Sequence, residues 1–146
     1  ELTNASLIDA LMALDRHLYI STGCHTEAEI EMAFDRLPAT GWSPMHCISN
    51  YPVSLQNARL GYISHLRRRW NCDVGYSSHD DHWEACLLAM QLGANVIERH
   101  ITLDRKGEGL DHSSSSTPDE FAKIAAFADE LDLLLAGDGA RVPNQG

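Results

Sequence analysis

Apolar and polar positions follow two alternating rhythms along this chain. Short runs of β-branched, aromatic and small apolar residues are separated by stretches in which apolar residues recur every three or four positions. Residues 5–14 (ASLIDALMAL) carry the helical rhythm, and 17–23 (HLYISTG) read as a strand ending in a turn. Thr26 and Glu29 have the spacing of a capping box. Ile30, Ala33, Phe34 and Leu37 then mark a helix face that Pro38 and Gly41 stop. Residues 45–52 (MHCISNYP) predict a second strand closed by Pro52, and Leu55, Tyr62, Ile63, Leu66 and Trp70 predict one face of the next helix. A third strand follows at 72–78 (CDVGYSS), then a helix at 82–93 with Gly93 as its C-terminal cap, then a fourth strand at 94–103 (ANVIERHITL). A polar, Gly- and Ser-rich loop spans 104–116. Thr117 and Glu120 form a second capping box with Pro118 at the first helical position, and Phe121, Ile124, Ala125, Ala128, Leu131 and Leu135 give the stripe that its helix buries.

The predicted order is one helix and then four strand–helix units. Short, mainly apolar strands suit a parallel sheet covered by helices. Two α/β architectures fit: an open doubly wound sheet, or part of a (β/α)8 TIM barrel. No GxGxxG or GxxxxGK[ST] pattern occurs, which weakens the nucleotide-binding open sheet. Polar residues gather at the carboxyl ends of all four strands, at Ser21-Thr22-Gly23, Ser49-Asn50-Tyr51, Ser77-Ser78-His79 and Glu98-Arg99-His100. In a barrel these ends open onto one face, where barrel enzymes build their sites. A full barrel needs about 250 residues, so four units make half of one.

Composition narrows the function classes. The chain has 146 residues, 44% hydrophobic and 22% charged, which is ordinary globular usage and excludes disordered and collagen-like classes. A formal net charge of −10 argues against binding to a nucleic-acid backbone. The apolar runs are too short to cross a bilayer. Cys24, Cys47, Cys72 and Cys86 form no CxxC pair, which leaves a zinc knuckle unsupported and predicts reduced, mostly buried thiols in a cytosolic protein. The chain opens on Glu1 rather than methionine, so a piece of a longer protein is expected.

The candidate chemistry sits at the strand ends. His79 and His100 each close a strand, and the strands are consecutive, so the rings can converge on a divalent ion with open positions. The competing reading is a pair of unrelated histidines in a chain with eight. Alternation places Glu98 and His100 on one side of their strand and Arg99 on the other. Ser21 and Gly23 precede a capped helix whose dipole and free amides favour a phosphate; Ser77 offers a second hydroxyl. Each serine also suits a plain turn. Asp111 and His112 reach a polyol substrate in one reading and solvent in the other. His25 and His82 are expected in solvated or capping roles, His46 in the core, and Arg67-Arg68-Arg69 at a solvated helix end.

ISTG (20–23), HCISNYP (46–52), GYSSHD (75–80), LGANVIERHITLD (92–104) and LDHSSSSTPDEF (110–121) resemble, in that order, the carboxyl-terminal half of the catalytic barrel of the sialic acid synthases. That family includes legionaminate, pseudaminate and spore-coat polysaccharide relatives. The resemblance implies a partial barrel domain over 1–146, roughly units five to eight. It implies condensation of phosphoenolpyruvate with an open-chain N-acetylmannosamine-type sugar to a nine-carbon 2-keto acid and phosphate. C3 of phosphoenolpyruvate attacks the aldehyde carbon, water adds at C2, and phosphate leaves by C–O cleavage. It assigns His79 and His100 to a divalent metal, usually Mn2+, with Mg2+ or Co2+ possible. Ser21 and Ser77 go to phosphoenolpyruvate, and Ser49, Tyr51 and Asp111 to the sugar. Glu98 supports the metal site or its water, and Glu1 is a candidate acid/base. A homodimer and a cytoplasmic location follow from the same likeness.

Two departures stand out. Ser78 occupies a position that is usually acidic in that family, and Ser49 one where some members carry asparagine. The first four strands and an antifreeze-like C-terminal domain of the family have no counterpart in these 146 residues, and GDGARVPNQG is expected to begin a linker. The piece alone is expected to be inactive and, with open sheet edges, to self-associate or close its sheet. The alternatives are another metal-dependent barrel aldolase or hydrolase, and a non-catalytic sugar-binding remnant.

Overall fold

A computed structural model describes residues 1–136. In chain order the elements are α1 (Ala5–Met12), β1 (Leu18–Ser21), α2 (Glu27–Phe34), β2 (Trp42–Cys47), α3 (Gly61–Trp70), β3 (Val74–Ser78), α4 (Ala85–Gln91), β4 (Ala94–Arg99), a 3-10 turn (His112–Ser114) and α5 (Pro118–Leu135). The expected linker at 137–146 lies outside the described residues.

All strands are parallel, and their order in space follows the chain, β1-β2-β3-β4. A doubly wound sheet reverses its strand order at a switch point, whereas a barrel runs on in sequence. The order therefore selects the barrel type of the two architectures. The helices pack on one face, where Ile20, Trp42, Val74, Tyr76 and Ala94 of the strands meet Ile8, Ile30, Phe34, Ile63, Leu66 and Ala89 of the helices. The opposite face carries Tyr19, Ser21 and Glu98, all exposed.

Both capping boxes form: Thr26 with Glu29, and Thr117 with Glu120 behind Pro118. Gly93 ends α4 with φ +103°, a conformation open to glycine at little cost.

Several expected boundaries move. β2 starts at Trp42 and ends at Cys47, so Ser49 to Pro52 form the loop beyond it. Pro44 lies inside β2, but β2 begins pairing with β3 only at Met45, so the missing N–H breaks no ladder bond there. α3 begins at Gly61, and Leu55, expected on its buried face, lies outside it and is 65% exposed. The third strand and α4 are shorter than expected, and the fourth strand ends at Arg99. On α5 the covered residues are Phe121, Ile124, Phe127 and Leu131; Ala125, Ala128 and Leu135 face outward, because α4 is the element this helix packs against. The thiols are free, with Cys47 and Cys86 buried, but Cys72 is half-buried and Cys24 is exposed.

His46 is a core residue, as expected. Its ring lies between Tyr62 and Tyr76, with centroids 5.5 and 5.6 Å away, and its Nε2 bonds to the Ala58 carbonyl at 2.8 Å. Burial holds the imidazole below its ordinary value of 6.5, against the opposing pull of the Ala58 carbonyl and Asp80. The unfolded chain therefore protonates here first as the pH falls. Stability is full above the ordinary imidazole value and is lost as pH drops through the lower folded one. We predict a lower urea midpoint at about pH 5.5 than at about pH 7.5, with a shallower pH dependence in His46→Gln. An equal slope in the variant would remove His46 as the cause.

Candidate functional site

The carboxyl ends of β2, β3 and β4 bring together most of the residues singled out from the sequence. His79 follows β3 and His100 follows β4; their ring centroids are 5.3 Å apart, edge to face. Tyr51, on the loop after β2, places its ring 4.3 Å from that of His79 and 6.2 Å from that of His100. Asp111 reaches back from the loop before α5, with Oδ2 3.7 Å from His100 Nδ1. Ser77 donates to Glu98 Oε1 at 2.8 Å, which fixes the carboxylate on the open face of the sheet, as strand alternation predicted.

Each histidine has one ring nitrogen turned to protein. His79 Nδ1 lies 4.0 Å from Cys47 Sγ, and His100 Nδ1 faces Asp111. That leaves each Nε2 free among the described residues. Burial lowers the His79 pKa, against the pull of the Ile48 backbone, Glu98 and Asp80, and so favours the neutral imidazole that a metal needs. Burial also raises the Tyr51 phenol, helped by the negative potentials of Cys47, Asp111 and Glu98, so Tyr51 stays a hydrogen-bond donor. No set of three or more His, Cys, Asp or Glu among the described residues is arranged to enclose a metal. The donor set is thus the two imidazoles of His79 and His100. It fits an exchangeable divalent ion that keeps several positions for water or substrate, and does not fit a closed structural site.

Ser49, Ser21 and Glu1 lie to the β1 side. Ser49 Oγ is 3.9 Å from Cys47 Sγ. A β-carbon on Gly23 would clash with Ser49 Oγ and press on Cys47 Sγ at 3.0 Å, so glycine lets the β1 turn close over both. Ser21 Oγ accepts from the Gly23 amide at 3.2 Å. Glu1 lines a groove with Ser21, Gly23 and His25, apart from the histidine pair. The start of α2 is less inviting to a phosphate than expected, because Glu29 occupies the Thr26 amide and Glu27 adds charge.

Other residues gained roles that their sequence context did not announce. His112 is half-buried and tied to Thr102 Oγ1 at 2.6 Å, anchoring the loop that carries Asp111. His25 bonds to the Gly23 carbonyl at 2.6 Å. Ser78 and Asp80 are fully buried, and Arg99 is buried beside them. Asp80 was not foreseen. The signal for it was Arg99, a charge on the helix-covered face of an apolar strand, which demands a buried polar partner.

The NeuB family model matches residues 1–139. The chain belongs to the NeuB family. It is 32% identical over 146 aligned positions to the N,N'-diacetyllegionaminic acid synthase of Campylobacter jejuni, covering 97% of this chain and 43% of that protein. It is 36% identical over 134 positions to the N-acetylneuraminate-9-phosphate synthase of Drosophila melanogaster, covering 89% of this chain and 36% of that one. The crystal structure of a sialic acid synthetase from Leptospira borgpetersenii, solved with citrate, superposes with a TM-score of 0.85 at 30% identity, over 97% of this chain and 50% of that one. These relatives are sugar-acid synthases, and this NeuB-family chain spans half of their length or less. Among the described residues no helix is long and apolar enough to cross a membrane.

Proposed function

We propose that this NeuB-family chain carries the metal and sugar-binding part of a synthase that condenses phosphoenolpyruvate with an open-chain N-acetylmannosamine-type sugar. The products are a nine-carbon 2-keto acid and phosphate. The observation that supports this best is the His79–His100 pair, 5.3 Å apart at the carboxyl ends of adjacent parallel strands, with Tyr51, Glu98 and Asp111 around it. In this reading the domain is the carboxyl-terminal half of a TIM barrel, and the intact cytoplasmic enzyme is a homodimer.

Each side chain has a task that its position permits. His79 and His100 would hold a divalent cation, Mn2+ by preference. When bound, such an ion supplies a Lewis acid for the sugar aldehyde. Tyr51, kept protonated, donates to a sugar oxygen, and Asp111 accepts from a sugar hydroxyl while steadying His100. Ser49 lines the same sugar side. Glu98, held by Ser77, takes a proton from the water that adds at C2. Ser21 and Ser77 are the hydroxyls available to phosphoenolpyruvate, and Glu1 is placed to exchange a proton beside Ser21.

The test is phosphate release. An intact synthase that contains this chain, given Mn2+, phosphoenolpyruvate and N-acetylmannosamine, is expected to liberate inorganic phosphate, and Glu98→Gln is expected to slow this by about 10²–10⁴-fold. Aldol cleavage without phosphate release would instead indicate another metal-dependent barrel enzyme.

A further inference from the structure

On the helix-covered side of the sheet, directly behind the two histidines, lies a buried ionic network that the proposed chemistry does not use. Asp80 and Ser78 are fully buried, and Arg99 is 9% exposed. Arg99 donates three times: Nη1 to Ser78 Oγ, Nη2 to the Asp80 carbonyl and Nε to Ser116 Oγ, each at 2.6 Å. The Ser78 hydroxyl passes the interaction on, donating to Asp80 Oδ2 at 2.9 Å, where Tyr76 also donates. Asp80 Oδ1 is buried with no partner among the described residues.

Three members are joined directly to a histidine by the chain. Ser78 and Asp80 flank His79, Arg99 precedes His100, and Ser78 pairs with Arg99 in the β3–β4 register. The backbone is pinned too: the Ser116 amide donates to the His100 carbonyl, and the Val53 amide to the His79 carbonyl, both at 2.9 Å. Apolar side chains of similar volume would hold two strands together at least as well as buried charges, which carry a large desolvation penalty. A carboxylate with one bare oxygen makes the arrangement costlier still. Stability alone therefore does not account for it.

We infer that Arg99, Ser78 and Asp80 form a clamp that sets the separation of the His79 and His100 rings and so governs how tightly they hold a divalent cation. The three are positioning residues, since none touches the cation itself. This rests on the metal reading proposed above. Ser78, standing where the family resemblance expects an acid, becomes the relay through which the carboxylate of Asp80 meets the guanidinium.

The experiment is manganese(II) binding alone, followed by the electron paramagnetic resonance signal of the free ion. It uses the 146-residue chain and its Ser78→Ala, Arg99→Met and His100→Ala variants, at a temperature where circular dichroism shows all of them folded. Ser78→Ala and Arg99→Met are expected to weaken binding by about 10–100-fold, a change that a purely structural role would not produce in folded protein. If both bind as tightly as the parent while His100→Ala does not bind, the clamp is overturned and the metal site stands. If the parent binds no manganese(II), or His100→Ala binds it unchanged, the metal site falls and the clamp with it. Unfolding of Ser78→Ala, which lacks a single oxygen, would also overturn the clamp, because the network would then be holding the domain rather than the site.

Discussion

His100→Ala is expected to weaken manganese(II) binding by more than about a hundredfold, since removing only a partner of a ligating histidine already costs 10–100-fold. The pair is the whole of the protein's donor set in our reading, so one remaining imidazole gives little more than a free histidine does. His100 is the better member to remove. Its side chain is 39% exposed, whereas His79 as a whole is 5% exposed and its loss would also open the interior. Isothermal titration of manganese(II) into parent and variant, with urea curves to confirm equal folding, checks the expectation. Equal affinities would remove His100 from the site.

Phe34→Ala is expected to destabilise the domain by about 3–5 kcal/mol, the usual cost of deleting a buried aromatic ring. Phe34 ends α2 and is 1% exposed. Its ring lies 4.7 Å from that of Trp42 at the start of β2 and 5.2 Å, edge-on, from that of Trp70 at the end of α3. Both indole N–H groups are already satisfied, Trp42 by the Pro38 carbonyl at 2.7 Å and Trp70 by Asp35 at 2.8 Å, so neither can swing freely into the space. Against a typical total stability of about 5–15 kcal/mol, such a loss brings a domain of this size close to unfolding at room temperature. Urea denaturation with Phe34→Leu alongside measures it; a loss under about 1 kcal/mol would show that the three elements repack without the ring.

The parts of the fold that were legible from the residues are those written in local chemistry. Thr26 with Glu29, and Thr117 with Pro118 and Glu120, mark helix starts because their bonds close within four residues. Gly93 marks a helix end for the same kind of reason. Leu55 misled because periodicity alone does not show that the chain turns at 54–60 before the helix begins, with Arg59 at φ +46°. In the site, His79, His100 and Glu98 were legible since each ends or interrupts an apolar strand. Asp80 was not, because a carboxylate just past a strand end is ordinarily solvated.

By itself the sequence determined the element order, the helix caps, the side of β4 on which Glu98 and His100 stand, and the placing of polar residues at strand ends. These depend on periods of two and 3.6 residues and on bonds between near neighbours. Only the tertiary structure decided that the strands run in unbroken order, that the two imidazoles meet edge to face with centroids 5.3 Å apart, and that Arg99 reaches Asp80 through Ser78. Those depend on how strands some 20 residues apart align, and that alignment is set by packing against the helices rather than by any local pattern.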